Sequence, residues 1–501
     1  MVELQQWAEP GDRTSRRWLF GDQLGPHFLD DQNQSALIIE SRGVFRRRRF
    51  HRQKAHLVLS AMRHRAAELG DRCEYVVSDR YRPAAQGPLT VCHPASRAAL
   101  ALVRSMPEVE VLPARGFATS MDEFGSWVDS RGSHRLLMED FYRENRRRLS
   151  VLMDGDEPTA GRWNFDADNR GRAPRSGSLG IPEPLWPVED EIDEEVRRDL
   201  DKWERDGDVR FIGNDGPRRF AATRTEALAA FKHFLAERLD TFGPYEDAML
   251  SGDPWMAHSL MSAAQNLGFV HPLELVTEVE QGYRQGRIRI SSAEGFIRQL
   301  IGWRDYVWNL YWHQDDSYRR RNQLQATTPL PDWFAELESD AVQARCLSTV
   351  LGNLADHGWV HHIPRLMVLG NYALQRGWDP SALTDWFHRA FVDGYDWVMV
   401  PNIVGMSQYA DGGIMATKPY AGGGAYIDRM SDFCGGCRYN PKVRVGDNAC
   451  PFTAGYWAFL HRNRAEFTAN HRMRQAVRGM DRLTDLEALV EQETERGTSA
   501  P

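Results

Sequence analysis

The sequence predicts an α/β amino-terminal domain with a parallel, Rossmann-like sheet, joined to a larger all-helical domain. Three observations predict it. Short apolar runs recur through the first half, with a helical stretch between them. A connection rich in Gly, Pro, Arg and acids follows, from about 150 to 220. From about 221 onward the apolar positions repeat at helical spacing. At 501 residues the chain is too long for one ordinary core, so two domains are expected. We place them at 1–145 and 221–501, with 146–220 as interdomain linker and loop.

The strands come first. Trp18-Leu19-Phe20, Ala36-Leu37-Ile38-Ile39, Tyr75-Val76-Val77, and Val109 with Val111 and Leu112 are the short apolar runs. Between the second and third, Leu59, Met62, Ala66 and Leu69 recur at helical spacing, and strand–helix–strand reads as a parallel pair. No G-x-G-x-x-G follows the first strand, so an ordinary dinucleotide site is not supported. GRWNFDADNRGRAPRSGSLGIP has few periodic apolar positions and reads as linker or functional loop. TEALAAFKHFLAERL is amphipathic, and in FIRQLIGWRDYVWNLYW Leu300, Trp303, Val307 and Leu310 share a face. Ten of the sixteen Trp fall between 255 and 457, which suits a Trp-rich core and also a domain that moves electrons.

Composition narrows the classes. No run of eighteen apolar residues occurs, so no transmembrane helix is expected. The start MVELQQWAEPGDRTSRRW lacks a secretory pattern, so a cytoplasmic protein is expected. The net charge of -8 does not advertise a nucleic-acid binder. The basic runs Arg46–Arg49 and Arg146–Arg148 read more readily as solvated faces than as phosphate contacts.

Six cysteines stand at 73, 92, 346, 434, 437 and 450. Disulfides are not expected in a reducing compartment, and Cys73 and Cys92 read as small buried residues. Cys434-Gly-Gly-Cys437, then Cys450 before Pro451, and the remote Cys346 form a set of four candidate ligands. An iron–sulfur cluster and tetrahedral zinc both accept four thiolates, and the pair alone could be a redox motif outside its usual βαβ setting. In either metal reading the remote ligand staples the carboxy-terminal segment to the helical domain.

The stretch from RCL at 345 through GWVHHIPRLMVLGNYAL, WFHRAFVDGYDWVMVPNIVGMSQYADGGIMATKPYAGGGAYIDRMSDFCGGCRYN and CPFTAGYW strongly resembles bacterial photolyases and cryptochromes that carry a 4Fe–4S cluster. FGDQL, HRQK…SAMRH, WNFDADNR, AHSLMSAAQNLG and GFIRQLIGWRDY extend the resemblance over nearly the whole chain. It implies an antenna α/β domain, a helical FAD domain, and a cluster on Cys346, Cys434, Cys437 and Cys450. It also implies a light-driven enzyme acting on UV-damaged DNA, cytoplasmic and nucleoid-associated when bound, expected to be monomeric. The 146–220 loop is then a candidate DNA contact.

Roles follow by resemblance, residue by residue. His362 matches the proton donor of (6-4) photolyases and His361 its active-site neighbour; imidazole exchanges a proton most easily near neutral pH. Adjacent helical residues point different ways, so one of the two is expected to face a given cavity. Arg365, three residues on, matches a flavin contact, and Asp393 an acidic one. His258, Ser259, Leu260 and Ser262 match the element that grips FAD phosphates, and hydroxyls with free N–H groups at a helix start suit that task. Gln299 and Arg304 match the helix bordering flavin and lesion. Trp386, two helical turns before Asp393, matches the first tryptophan of the electron relay. Tyr420 and Tyr426 match residues near the lesion cavity, where a ring can stack on a flipped base. Gly21, Asp22 and Gln23 fall where the antenna domain holds its chromophore, often 6,7-dimethyl-8-ribityllumazine.

Three departures stand out. Met399 occupies the region of flavin N5 where the family usually has a carboxylate. The familiar W-T-G element before Cys346 is missing, leaving Trp333 as a substitute distal relay residue. Val44 stands where an acidic antenna residue is usual, which weakens the lumazine expectation. The favoured reading is light-driven repair of (6-4) photoproducts by electron transfer from reduced FAD. The alternative is a blue-light photoreceptor without turnover. An iron–sulfur nucleic-acid binder without photochemistry leaves the antenna-like half unexplained.

Overall fold

A computed structural model describes residues 15–501, so most of the amino-terminal stretch read for a secretory pattern lies outside it. The first half builds one five-stranded parallel sheet from β1 (Arg16–Leu19), β2 (Ala36–Ser41), β3 (Cys73–Ser78), β4 (Leu89–Cys92) and β5 (Val109–Leu112), in the order β3-β2-β1-β4-β5. Trp18 lies opposite Leu37, Ile38 opposite Tyr75, and Val91 opposite Val111. Every residue of β2 and β4 is buried, as expected of strands covered on both faces. Helix α1 (Arg52–Leu69) makes the crossover from β2 to β3. The strand order reverses between β1 and β4, which opens a crevice at their carboxyl ends.

The rest is almost wholly helical. Beyond β5 the only paired strands among the described residues are the two-residue pieces Met153–Asp154 and Glu157–Pro158. Position 145, set as a boundary from the sequence, falls inside helix α2 (Met138–Leu149), which packs on the segment Arg298–Arg304. The stretch read as linker and loop also contains a helix, α3 (Glu191–Arg205), which packs on α1. Asp190 caps it, with Asp193 returning the bond, and Val196, Leu200 and Trp203 are buried. The acidic composition hid an apolar stripe of only three residues.

One apolar core runs without a break from the sheet region (Leu19, Ile38, Phe45) to the helices (Phe231, Leu300, Trp308). A second surrounds Trp378, Trp386, Leu347 and Phe452. Both basic runs are consumed inside the molecule. Arg46 pairs with Asp208 at 2.6 Å, Arg49 with Glu336 at 2.7 Å, and Arg48 Nη1 meets His388 Nδ1 at 2.6 Å. Arg146 is fully buried and donates to the Trp163 carbonyl at 2.7 Å, Arg147 lies over the Trp163 ring, and Arg148 pairs with Glu123.

Three seven-residue π-helical segments interrupt the helical region: Arg298–Arg304, Pro364–Gly370 and Pro401–Ser407. The last two touch so closely that a Cβ on Gly370 would lie 2.2 Å from Ser407 Oγ. Wide turns of this kind concentrate at functional sites, and each one here carries or adjoins a candidate site residue.

Candidate active site

The site grows from two turns. The first starts at His361, just before the π-segment Pro364–Gly370. His361 is 3% exposed, and its ring stacks on that of His258 with centroids 4.3 Å apart and planes inclined by 22°. His362 lies 5.7 Å from the His361 ring and 5.5 Å from His258. The two adjacent histidines therefore share one site, contrary to the expectation that they diverge, because the backbone at His361 is not yet helical.

His258 closes the cluster from above, where the sequence match had placed it with the phosphate-gripping element. The three rings bring nitrogens within 4.8 Å of one another. The lone pairs of the two stacked rings lie in nearly parallel planes, however, so they converge poorly on one ion. The arrangement suits holding and passing a proton better than metal binding. Burial, joined by the neighbouring cations, holds His258 and His361 well below the usual imidazole range, so both are neutral near pH 7. His258 Nε2 and His361 Nδ1 meet no protein partner among the described residues. His362 keeps half its side chain exposed, and its Nε2 stands 3.5 Å from Asp247 Oδ1.

The second turn holds Asp393. Helix α4 (Pro380–Ala390) ends before it, with Phe391 extended at its carboxyl end. Trp386 and Asp393 are thus not two turns apart on one helix. Asp393 accepts from Arg365 at 2.8 and 3.0 Å and from Ser262 Oγ at 2.6 Å, while its carbonyl accepts from Asn266 Nδ2 at 2.9 Å. Arg365 also donates to the Val360 carbonyl at 2.6 Å. These contacts hold the buried Asp393 carboxyl below its ordinary range despite burial. Asn266 was missed from the sequence, since an amide in a helix carries no signal of its own.

Ser259 and Leu260 line a cavity of about 270 Å³ with His258, Met261, Phe220, Trp186 and Arg238. Leu260 adopts φ 58°, a left-handed conformation unusual for leucine, where the helix Met261–Asn266 begins. Strain of this sort collects at binding sites. Gln299 donates to the Gly295 carbonyl within its π-turn. Arg304 lies between the rings of Phe117 (4.4 Å) and Trp397 (4.8 Å), at the seam with the sheet region. It donates to the Gln265 carbonyl, and its Nε and Nη1 are buried without a partner among the described residues. Met399 is buried in the second core. These orphaned polar atoms, lining and adjoining one cavity system, fit a polar cofactor such as FAD.

Tyr420 is 39% exposed and Tyr426 half-buried. Asp166, Arg170 and Asp247 lie within electrostatic reach of Tyr420, and Asp247, Arg170 and Arg429 of Tyr426, so both phenols face the side that His362 faces. Asp166 and Arg170 come from the WNFDADNR loop. Asn169 ties that loop to the Ser291 carbonyl at 3.0 Å, and Phe165 N donates to Glu294 at 3.0 Å. Asp247 was missed, because nothing near it in sequence relates it to a histidine 115 residues away.

Trp386 is fully buried, donates to the Ala335 carbonyl at 3.2 Å, and meets Phe334 at 4.4 Å. Phe334 in turn meets Trp378 at 4.7 Å, and Trp378 meets Trp333 at 6.0 Å. Trp333 thus ends a continuous aromatic file that starts at Trp386.

The four remaining cysteines converge. Cys346 begins helix α5 (Arg345–His357), Cys434 lies in the short turn Phe433–Gly436, Cys437 follows it, and Cys450 caps α6 (Pro451–Arg462). All four line one space of about 300 Å³ with Ile427, Phe433, Tyr439 and Phe452. A Cβ on Gly424 would lie 2.7 Å from Cys450 Sγ, so this glycine makes room for the fourth ligand. Burial and the other three cysteines push the Cys346 thiol well up, and Cys434 is pushed up to about 12. Thiols so placed ionise readily only around a cation, and four sulfurs with apolar walls fit an iron–sulfur cluster.

At the strand-order reversal a further cavity of about 410 Å³ opens between the sheet region and the helices. Asp22, Ser96, Arg97, Arg48, Tyr311, Arg319, His388 and Tyr395 are among its walls. Burial pushes the Asp22 carboxyl up to about 6. Gly21 and Gln23 do not line it. Gly21 packs against Val58 and Met62, and Gln23 donates to the Cys92 carbonyl at 2.9 Å, stitching β1 to β4.

Residues 17–208 match the family described as deoxyribodipyrimidine photo-lyase-related protein. The chain is 37% identical over 498 residues to the (6-4) photolyase of Agrobacterium fabrum, covering 93% of this chain and 95% of that one. Its fold is similar to that of a bacterial class III photolyase from Agrobacterium tumefaciens, with TM-score 0.53, 14% identity and 98% of each chain covered. It is also similar to a cryptochrome from Synechocystis, with TM-score 0.56, 13% identity, and 97% and 100% covered.

Proposed function

The chain belongs to the photolyase-related family, and from that premise we propose that it is a (6-4) photolyase acting on UV-damaged DNA. The observation that carries the reading is the histidine cluster, in which two buried neutral rings back a half-exposed His362. When bound, reduced FAD supplies the electron that light drives into the lesion. The chain's own part is protonic and positional. An electron placed on a lesion returns without effect unless a proton arrives first, and His362 is the imidazole that reaches the open side. Asp247 orients its Nε2–H, and His361 with His258 keeps water from the inner face. Tyr420 and Tyr426 offer rings against which a flipped base can stack.

Ser259, Ser262, Arg365 and Asp393 are assigned to the flavin, and Arg365 supplies a fixed cation beside a ring that gains negative charge. Cys346, Cys434, Cys437 and Cys450 are assigned to a 4Fe–4S cluster. The interdomain cavity is assigned to a second, ring-sized chromophore, with Asp22 on its wall.

The test is an illuminated assay of the reduced protein with oligonucleotides carrying a (6-4) photoproduct or a cyclobutane dimer. Repair of the first and not the second is expected. His362→Ala should keep FAD and lesion affinity and lose turnover at least a hundredfold, since general acid catalysis contributes on that order. Wild-type protein that repairs neither lesion would replace this reading with a photoreceptor.

A further inference from the structure

The HRQK stretch that opens α1 belongs to the sheet region, yet its side chains are spent on the helical one. His51 N donates to the Arg389 carbonyl at 2.9 Å, and its ring nitrogen Nε2 meets the Ala355 carbonyl at 3.0 Å. The His51 ring is so enclosed that a Cβ on Gly213 would overlap it. Arg52 pairs with Glu204 of α3 at 2.6 Å. Lys54 goes furthest. It is 6% exposed, and its ammonium donates to the His388 carbonyl at 2.6 Å and to the Gly394 carbonyl, between the rings of Phe50 (5.1 Å) and Tyr395 (5.3 Å).

Those two carbonyls bracket the turn that carries Asp393. His388 lies in the last turn of α4, where carbonyls lack intrahelical partners and a cation is favoured. The turn is wound tightly. A Cβ on Gly394 would lie 2.7 Å from the Phe387 carbonyl oxygen and 2.9 Å from that of His388. Backbone oxygens crowded this way concentrate negative potential, and Lys54 is the cation set among them.

The charges show what this adds. Arg365 and Asp393 form a buried pair and cancel. Asp396 is paired with Arg319. The other groups within reach of Lys54 are Arg48, which opposes its charge, and the His388 ring, held neutral by burial and by its cationic neighbours Lys54, Arg48 and Arg319. The Arg365–Asp393 pair alone is neutral, so it does little for a cofactor that becomes anionic on reduction. Lys54 leaves this corner with a positive charge that Asp393 does not absorb.

We propose that Lys54 is a positioning residue of the flavin site, which pins the Asp393 turn from the sheet region and supplies the uncompensated positive charge that favours the reduced, anionic cofactor. The inference rests on the FAD assignment above.

The test uses full-length protein loaded with FAD and measures the ratio of reduced to oxidised flavin at fixed potentials. Lys54→Gln keeps two N–H donors for the same carbonyls and drops the charge, so it separates the pin from the field. Lys54→Met drops both, and Lys54→Arg keeps the charge. Lys54→Gln should retain stoichiometric FAD and lower the reduced fraction at least tenfold, about 30 mV for a two-electron couple. Lys54→Met should do the same and also bind FAD more weakly, and Lys54→Arg should stay near wild type. A ratio for Lys54→Gln within twofold of wild type, or Lys54→Arg behaving like Lys54→Met, would overturn the proposal. Wild-type protein that takes up no FAD would instead sink the flavin assignment, and this inference with it.

Discussion

Replacing Arg365 with Met tests the ion pair at the centre of the site. Three hydrogen bonds are lost, two to Asp393 and one to the Val360 carbonyl. Asp393 is 4% exposed and keeps only the Ser262 hydroxyl as a short side-chain partner, with Lys54 further off. Removing one partner of a buried pair costs about 3–5 kcal/mol, chiefly because a charge stays buried without its counter-ion. Arg365 is 18% exposed and Lys54 remains, so we expect the lower end, about 3 kcal/mol. That is roughly a hundredfold in the folding equilibrium at about 1.4 kcal/mol per tenfold. Urea denaturation of FAD-free protein, followed by circular dichroism, reads the loss as a lower midpoint at unchanged slope. Arg365→Met with Asp393→Asn should lose less than the sum of the singles, because the second change removes the stranded charge. A single variant that loses under about 1 kcal/mol, or a double variant that is additive, would refute the claim that the pair is buried and coupled.

Acid should weaken the fold. His51, His93 and His271 are held near about 4, and His258, His361 and His388 well below their ordinary value, so these rings stay neutral in the folded protein and bind protons near 6.5 once unfolded. Their contribution is complete above pH 6.5 and is lost as pH falls toward the folded values, about 1 kcal/mol per ring at pH 5.5. Glu246, pushed up to about 8, and Asp22 and Asp305, pushed up to about 6, work the other way, but they are fewer. The urea midpoint should therefore fall between pH 7 and pH 5.5, and a midpoint that rises would contradict the burial of these rings. Cys450→Ser should leave less than half the wild-type iron and sulfide in anaerobically prepared protein and lower the melting temperature by several degrees, since metal binding here is also folding energy. Full iron in that variant would remove Cys450 from the ligand set.

How much of this was legible in the sequence depends on how local each signal is. Strands β1, β2, β3 and β5 showed as apolar runs because a strand covered on both faces has no polar side to interrupt it. β4 was missed: Leu89-Thr-Val-Cys is four residues long and carries a threonine. The cysteine set was legible because ligands must be Cys and their spacing is short. The histidine site was only half legible. His361 and His362 advertise themselves as a pair, but His258 reaches them from about a hundred residues away, and its stacking is a tertiary fact. The step from Trp386 to Asp393 misled, because seven residues suggest two helical turns while α4 stops at Ala390. The basic runs were rightly discounted as DNA contacts, although they are internal fastenings more than solvated faces.

The π-segments have a consequence for how the chain tolerates change in length. An i→i+5 turn holds one residue more than the α-helix around it, so each behaves as a one-residue insertion absorbed without a loop. Trimming one residue from Pro364–Gly370 would let the helix close to ordinary pitch, but everything after the cut would rotate by about 100° relative to what precedes it. Asn371 and Gln375, which hold the Gly422 carbonyl at 2.8 and 2.9 Å, would swing away from the glycine run between Tyr420 and Tyr426. The deletion would shorten the chain by a single amino acid, keep every ligand and every histidine, and still put the two sides of the cavity out of phase.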